Sequence, residues 1–292
     1  MHWKITFMRV MLTAGLLGAI VRVAYAKDNQ NSIQVKGSDT MVNLCQAWAE
    51  AFMKQYPTAS IAVTGGGSGT GFSSLIGGTC DLASASRQIK PKEVELAQAK
   101  GFTPQEFIVA LDGLAVVVHP KNPVTQLTLD QLAGLFTGAI RSWREVGGQD
   151  AAVVLLSREV NSGTHVYFKE HVLGTKDGHQ QEFAAEALLL PSSQAIADEV
   201  AANPAAIGYY GMGYLNPKNR AVTVAKTPAG PFIAPSEAAV RSGAYPISRP
   251  LFLYTRGQPQ GMVSAFLDFL ASPEGQTVVR QQDFVPMEAK KP

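Results

Sequence analysis

Cysteine is almost missing from this chain: Cys45 and Cys80 are its only two. Coarse placement puts Cys45 near the start of a helix and Cys80 at the opposite end of the layer, just before a strand. Cα atoms more than about 7 Å apart cannot be bridged without backbone movement, so the pair reads as two buried thiols. The N-terminal apolar run, "VMLTAGLLGAIV" at Val10–Val21, falls short of the roughly 20 residues that a membrane span needs, and Arg22 interrupts its end. The five histidines, His2, His119, His165, His171 and His179, form no i,i+4 metal pair. His165 reads as a surface histidine. An excess of charge is missing too. Residues 1–26 hold three of the 25 Lys and Arg and none of the 23 Asp and Glu, which leaves 22 against 23 beyond them. That balance gives no footprint for nucleic acid or an anionic membrane. An anionic ligand would have to be held by local donors and dipoles.

What is present begins with an export signal. Lys4 and Arg9 form a basic region, the apolar run follows, and "AYA" at Ala24–Ala26 is an A-x-A cleavage site. No cysteine stands at the cut after the apolar run, so the reading is a cleaved signal over 1–26 and a periplasmic protein without a lipid anchor. Roughly 266 residues remain, enough for two cores of ordinary size.

Strand and helix patterns alternate along the chain. "SIQVKG" alternates like a strand, and "MVNLCQAWAEAF" places Met41, Leu44, Cys45, Trp48 and Phe52 on one helical face. "ASIAVTG" and "DLASAS" read as strands. "FSSLIGG" reads as a short helix stopped at Gly77–Gly78, and "PKEVELAQAKG" as a helix closed by glycine. "FIVALDGLAVVVHP" is β-rich but too long for an ordinary strand, and reads as broken at Asp112–Gly113 where the chain crosses to a second lobe. "TLDQLAGLF" carries a Thr128–Gln131 capping box. "AAVVLLS" and "AIGYYG" read as strands, "THVYFKEHVL" as a helix, and "ISRPLFLYT" as the return strand. The expected fold is α/β with two lobes, each a mostly parallel sheet flanked by helices, joined by two crossover segments. Lobe 1 is 27–112 with 246–292, and lobe 2 is 113–245.

Three strand-to-helix junctions share a chemistry: "GSDT" after Lys36, "GGGSGTG" after Thr64, and "NSGT" after Val160. Open α/β sheets bind ligands beyond the carboxyl ends of their strands, where helices begin. Helix starts offer unpaired N–H groups and about half a positive charge, so each junction suits an anion, although Ser, Thr and Asp also cap helices that bind nothing. Arg158 ends an apolar strand four residues before Ser162, where a guanidinium can fork onto two oxygens of a tetrahedral oxyanion. Enzyme motifs fail on spacing. No lysine follows the glycines as a P-loop requires; G-x-G-x-x-G ends on Thr70 or Phe72; and Gly66-Gly67-Ser68-Gly69 runs into Thr70, which breaks G-x-S-x-G. Binding is the better reading.

Taken in order, "VKGSDTM", "VTGGGSGTGFSSLIGGTCDLASASR", "ALDGLAVVVHPKNPV", "WREVGG", "SREVNSGTHVYF", "AIGYYGMGYL", "YPISRPLFLYT" and "FLASPEGQ" resemble the periplasmic phosphate-binding proteins of ABC phosphate importers, a type II solute-binding fold. The resemblance covers nearly all of the chain beyond residue 26. It implies binding of inorganic phosphate between two lobes and delivery to a permease, by a monomer with no catalysis and no cofactor. Carried over by position, the implied ligand residues are Ser38, Asp39 and Thr40 at the first junction and Ser68, Gly69 and Thr70 at the second. In the second lobe Arg158, Ser162, Gly163 and Thr164 match the family's Arg-x-x-x-Ser-Gly-Thr. One position departs: the family's best-known branch ends its third strand with an aspartate that accepts the proton of hydrogen phosphate, and here Ser86 stands there, followed by Arg87. Asp39 and Asp112 are the candidate replacements, against plain readings as a helix cap and a turn residue. Another tetrahedral oxyanion is the alternative ligand; a phosphatase-like or adhesion protein is the alternative class.

Overall fold

The computed structural model describes residues 31–176 and 178–287; the signal sequence expected at 1–26 lies outside them. The chain opens with β1 (Ser32–Gly37), whose alternating pattern buries Ile33 and Val35. It continues into α1 (Val42–Gln55), which together with its N-cap Met41 buries the five predicted apolar residues against Phe266, Phe269 and neighbouring side chains. Each such buried side chain contributes about 1.5–3 kcal/mol relative to exposure. The Trp48 indole N–H is satisfied by the carbonyl of Gly275 at 2.8 Å. β2 (Ser60–Thr64) leads into α2 (Ser68–Gly77), which ends at Gly78 in the left-handed conformation, as the Gly-Gly pair indicates. β3 (Leu82–Ala85) and α3 (Pro91–Ala99) follow.

β4 (Pro104–Val118) corrects one expectation: it is a single strand of 15 residues with no break at Asp112–Gly113. Its length is explained by its partners. The first part pairs antiparallel with β9 (Ser248–Arg256), and the second part, from Leu114, pairs antiparallel with β7 (Ala206–Gly211). Partners on both sides of Asp112–Gly113, broken only by one register shift that leaves Val109 without a β9 partner, hold the backbone extended, so nothing requires the strand to stop. α4 (Leu129–Phe136) carries the predicted cap: Thr128 Oγ1 accepts from Gln131 N at 3.1 Å, and Gln131 Oε1 accepts from Thr128 N at 2.9 Å.

β5 (Val154–Arg158), α5 (Gly163–Phe168), β6 (Leu188–Leu190), α6 (Ser193–Ala202) and the short β8 (Arg220–Ala221) build the other side. The large sheet runs β2-β1-β3-β9-β4-β7-β5-β6, with β8 on β4. Its outer pairings are parallel and its central ones, at the crossing strands, antiparallel. The two larger apolar cores among the described residues flank the crossing. One holds Ile33, Trp48, Phe52, Leu253 and Phe266; the other holds Leu132, Phe136, Trp143, Phe168 and Tyr209. α7 (Glu237–Arg241) packs beside β4, and α8 (Gly261–Ala271) and α9 (Pro273–Gln281) close the first side. Cys45 and Cys80 are free and buried, and burial pushes both thiols up to about 12.

Candidate functional site

The three junctions meet where the two sides of the molecule face each other. From the first side come Ser38 and Thr40 after β1, Ser68 at the start of α2, and Ser86 after β3, all buried. From the second come Ser162, Gly163 and Thr164 at the start of α5, also buried. Thr40 Oγ1 lies 2.8 Å from Thr164 Oγ1, a hydroxyl pair that joins the two sides. Ser68 Oγ accepts from Ser86 N at 3.0 Å. Gly163 sits so close to this pair that a Cβ there would overlap Ser68 Oγ and Ser86 Oγ, which is why the position needs glycine. Gly67, which precedes α2, has φ +96° and opposes Asn161 O, a second close approach that excludes a side chain. Ser38 Oγ is buried with no hydrogen-bond partner among the described residues. A buried hydroxyl left unpaired costs about 1–3 kcal/mol, so its orientation has to be explained by the site.

The guanidinium at this cluster is one that the sequence reading missed. Arg249, on β9, is 2 % exposed. Its Nε and Nη2 donate to Asp112 Oδ2 at 3.0 and 2.8 Å, its Nη1 to Ser86 O at 3.0 Å, and its Nη2 also to Thr164 Oγ1 at 3.0 Å. Asp112 is completely buried, and its Oδ1 accepts from Met212 N at 3.0 Å. Burial pushes the Asp112 carboxyl up, and Arg249 and the Met212 N–H pull it back down. Three of about four lone-pair sites on the carboxylate are thereby used. Asp112 is therefore no turn residue. It faces Arg249 directly across the β4–β9 ladder. The signal that could have found Arg249 is a lone charge in the apolar return strand "ISRPLFLYT".

Other expected residues are engaged by the protein itself. Arg158 is 1 % exposed, but its donors go to Leu190 O, Ser193 Oγ and Pro191 O, with Nη1 also 3.0 Å from Asp39 Oδ2. Its fork is occupied by protein. Burial pulls its guanidinium down and Asp39 raises it. Arg87 turns away from the cluster: it forks onto Glu93 at 2.7 and 2.8 Å and lies over the Phe72 ring. Thr70 is exposed and donates to Gly66 O in its own turn. Gly69 N donates to Asn161 O across the interface, and Ser162 Oγ caps α5 by accepting from Thr164 N and His165 N. His165 corrects its surface reading. It is buried, with Nδ1 3.2 Å from Ser157 Oγ and its ring against Phe183. It packs under α5 instead of facing solvent.

The site is thus a buried, hydroxyl-rich cluster drawn from both sides, with one guanidinium held by one carboxylate. Among the described residues no group of three or more His, Cys, Asp or Glu could hold a metal ion. No helix there is long and apolar enough to cross a membrane.

This is the plan of a two-lobed binding protein, and comparison with known proteins agrees. The family described as the PBP superfamily domain matches residues 24–274. The phosphate-binding protein PstS of Pseudomonas aeruginosa is 32 % identical over 271 residues, covering 87 % of this chain and 82 % of its own. The Bacillus subtilis PstS is 34 % identical, covering 88 % and 81 %. A Clostridium perfringens structure, described as a phosphate ABC transporter substrate-binding protein with bound phosphate, superposes with a TM-score of 0.79 at 32 % identity, over 88 % of this chain and all of that one. The chain belongs to the PBP superfamily and, within it, to the PstS family of phosphate-binding proteins.

Proposed function

We propose that this chain binds inorganic phosphate between its two lobes and presents it to the permease of an ABC importer. The reading places it in the periplasm as a monomer with no catalytic role, after removal of residues 1–26. The lobes are divided as 27–112 with 246–292, and 113–245. One observation carries the assignment: hydroxyls from both lobes converge on a buried point beside Arg249, and the buried Ser38 hydroxyl at the first junction has no partner among the described residues. The family relationship supplies the ligand.

In this reading Ser38, Thr40, Ser68, Ser86, Gly163 and Thr164 ring the anion with hydroxyl and backbone donors, and Arg249 supplies the single cation. Arg158 supports the site from behind. Arg249 and Asp112 cancel in charge, so the pocket recognises its ligand by the direction of its donors more than by a field. Asp112 takes the part that the third-strand aspartate plays in the better-known branch. Its remaining lone pair accepts the proton of hydrogen phosphate and repels sulfate, which has none to give. One lost bond and a like charge in a dry site disfavour sulfate by at least a few kcal/mol, about a hundredfold or more.

The test is calorimetry of the purified protein with phosphate, then sulfate. Tight one-to-one binding of phosphate and weak or no binding of sulfate is expected. Equal affinities would replace phosphate with a general tetrahedral oxyanion, and release of product from a phosphoester would point to an enzyme.

A further inference from the structure

Asp39 belongs to the lobe of β1, yet its carboxylate is held by donors of the other lobe. Oδ2 accepts from Ser193 N at 2.8 Å and from Ser193 Oγ at 2.9 Å, and lies 3.0 Å from Arg158 Nη1. On the same residue the main-chain carbonyl accepts from the Tyr214 hydroxyl at 3.0 Å. Ser193 opens α6, so its N–H is one that the helix leaves without an internal partner, and a carboxylate there also complements the positive end of the helix. Arg158 is fixed independently by Leu190 O, Pro191 O and Ser193 Oγ, all of its own lobe. The socket is therefore preformed on one lobe, and Asp39 is the part that arrives or leaves as the lobes move. A second crossing contact, Asn161 Nδ2 to Gly66 O at 2.7 Å, accompanies it at the glycine-rich turn.

None of these bonds needs a ligand atom. We infer that Asp39, docked on Ser193 and Arg158, is a latch that stabilises the closed arrangement of the lobes without ligand and so sets the phosphate affinity through the population of the closed form. The apparent dissociation constant of a two-state binder is its intrinsic value divided by the competent fraction. A latch that holds about nine-tenths of the molecules closed, where its loss would leave about a tenth, lowers that constant about ninefold and shifts most of the ligand-free population. The Asp39 side chain is 17 % exposed and Arg158 only 1 %, so the latch forms at the rim and can open without exposing the socket's interior. Its role in affinity rests on the phosphate reading; its role in closure does not.

The experiment compares wild type, Asp39→Asn and Ser193→Ala by small-angle scattering, without and with saturating phosphate, and by calorimetry. Asp39→Asn keeps the shape and removes the charge; Ser193→Ala removes one donor and leaves the ion pair. Both variants should have a larger radius of gyration than wild type when free of phosphate, and should match it when saturated. The dissociation constant should rise about tenfold in Asp39→Asn and less in Ser193→Ala. An unchanged ligand-free radius in both variants overturns the latch, and a weakened affinity with that radius unchanged makes Asp39 a direct ligand group instead. If wild type takes up no phosphate, the ligand assignment fails while the ligand-free comparison still decides the latch.

Discussion

Asp112 and Arg249 stand opposite each other on the two crossing strands, both almost fully buried. Replacing Asp112 by Asn keeps the volume but leaves a buried guanidinium without its counter-charge. Removing one partner of such a pair typically costs about 3–5 kcal/mol. Asp112→Asn should lose that much in urea unfolding, and in the fraction that folds, phosphate should bind more weakly while sulfate gains, because the amide can donate where the carboxylate could not. Selectivity retained by the variant in a sulfate competition would place the proton acceptor elsewhere. His165 gives a pH dependence at the same scale. Burial depresses its pKa below the ordinary 6.5. The unfolded chain therefore takes up a proton at higher pH than the folded one. The stability associated with a neutral His165 is complete above about pH 6.5 and falls as pH drops through the lower folded value. Thermal midpoints recorded from pH 7.5 to 5 should decline, and His165→Gln should flatten that decline. Equal slopes in the two proteins would assign it to other groups.

At the scale of elements, the start of α5 docks against the start of α2 and the end of β3, and Gly163 is the contact. Gly163 is the first residue of α5, where alanine gains less than the roughly 1 kcal/mol of a helix interior, so Gly163→Ala should leave the separate lobes as stable as before or slightly more so. The added methyl would nonetheless overlap Ser68 Oγ and Ser86 Oγ on closure. Unchanged or raised thermal stability without ligand, combined with phosphate binding weakened about a hundredfold or more, is the expected pattern. Wild-type affinity would mean that the elements slide apart easily and that this close approach is incidental.

For the whole molecule, the sheet is continuous through β4 and β9, and β4 gives side chains to both cores. Trp48 lies in one core and Trp143 in the other, each buried with its indole N–H donating to a carbonyl, of Gly275 and Ala205 respectively. They report the two lobes separately. In the chain without residues 1–26, which carry Trp3, the variants Trp48→Phe and Trp143→Phe each keep one tryptophan and should show one coincident transition between lobes after correction for the stability lost in each. Phosphate at about a hundred times its dissociation constant should add about 2.7 kcal/mol to both. Distinct midpoints, with only one responding to phosphate, would show that the shared strand does not couple the lobes.

Sequence alone determined the elements and the neighbourhood of the site. Helical spacing placed Trp48 and Phe52 in a core, the Thr128–Gln131 box started a helix, Gly78 ended one, and small hydroxyl-rich junctions marked where strands turn into helices. These are local effects, decided by dihedral preference and by periodicity within a few residues. Tertiary structure alone decided which charges meet. Arg158 and Arg249 are both lone cations at apolar strands, and nothing within a few residues of either states its partner. Arg158 meets the Asp39 carboxylate from more than a hundred positions earlier, and Arg249 meets Asp112 because two distant strands pair in one register. The unbroken β4 has the same origin, since its second half is held by β7. An ion pair or a ladder across such distances is a property of the assembled sheet, because a buried charge takes whatever counter-charge the packing brings within reach.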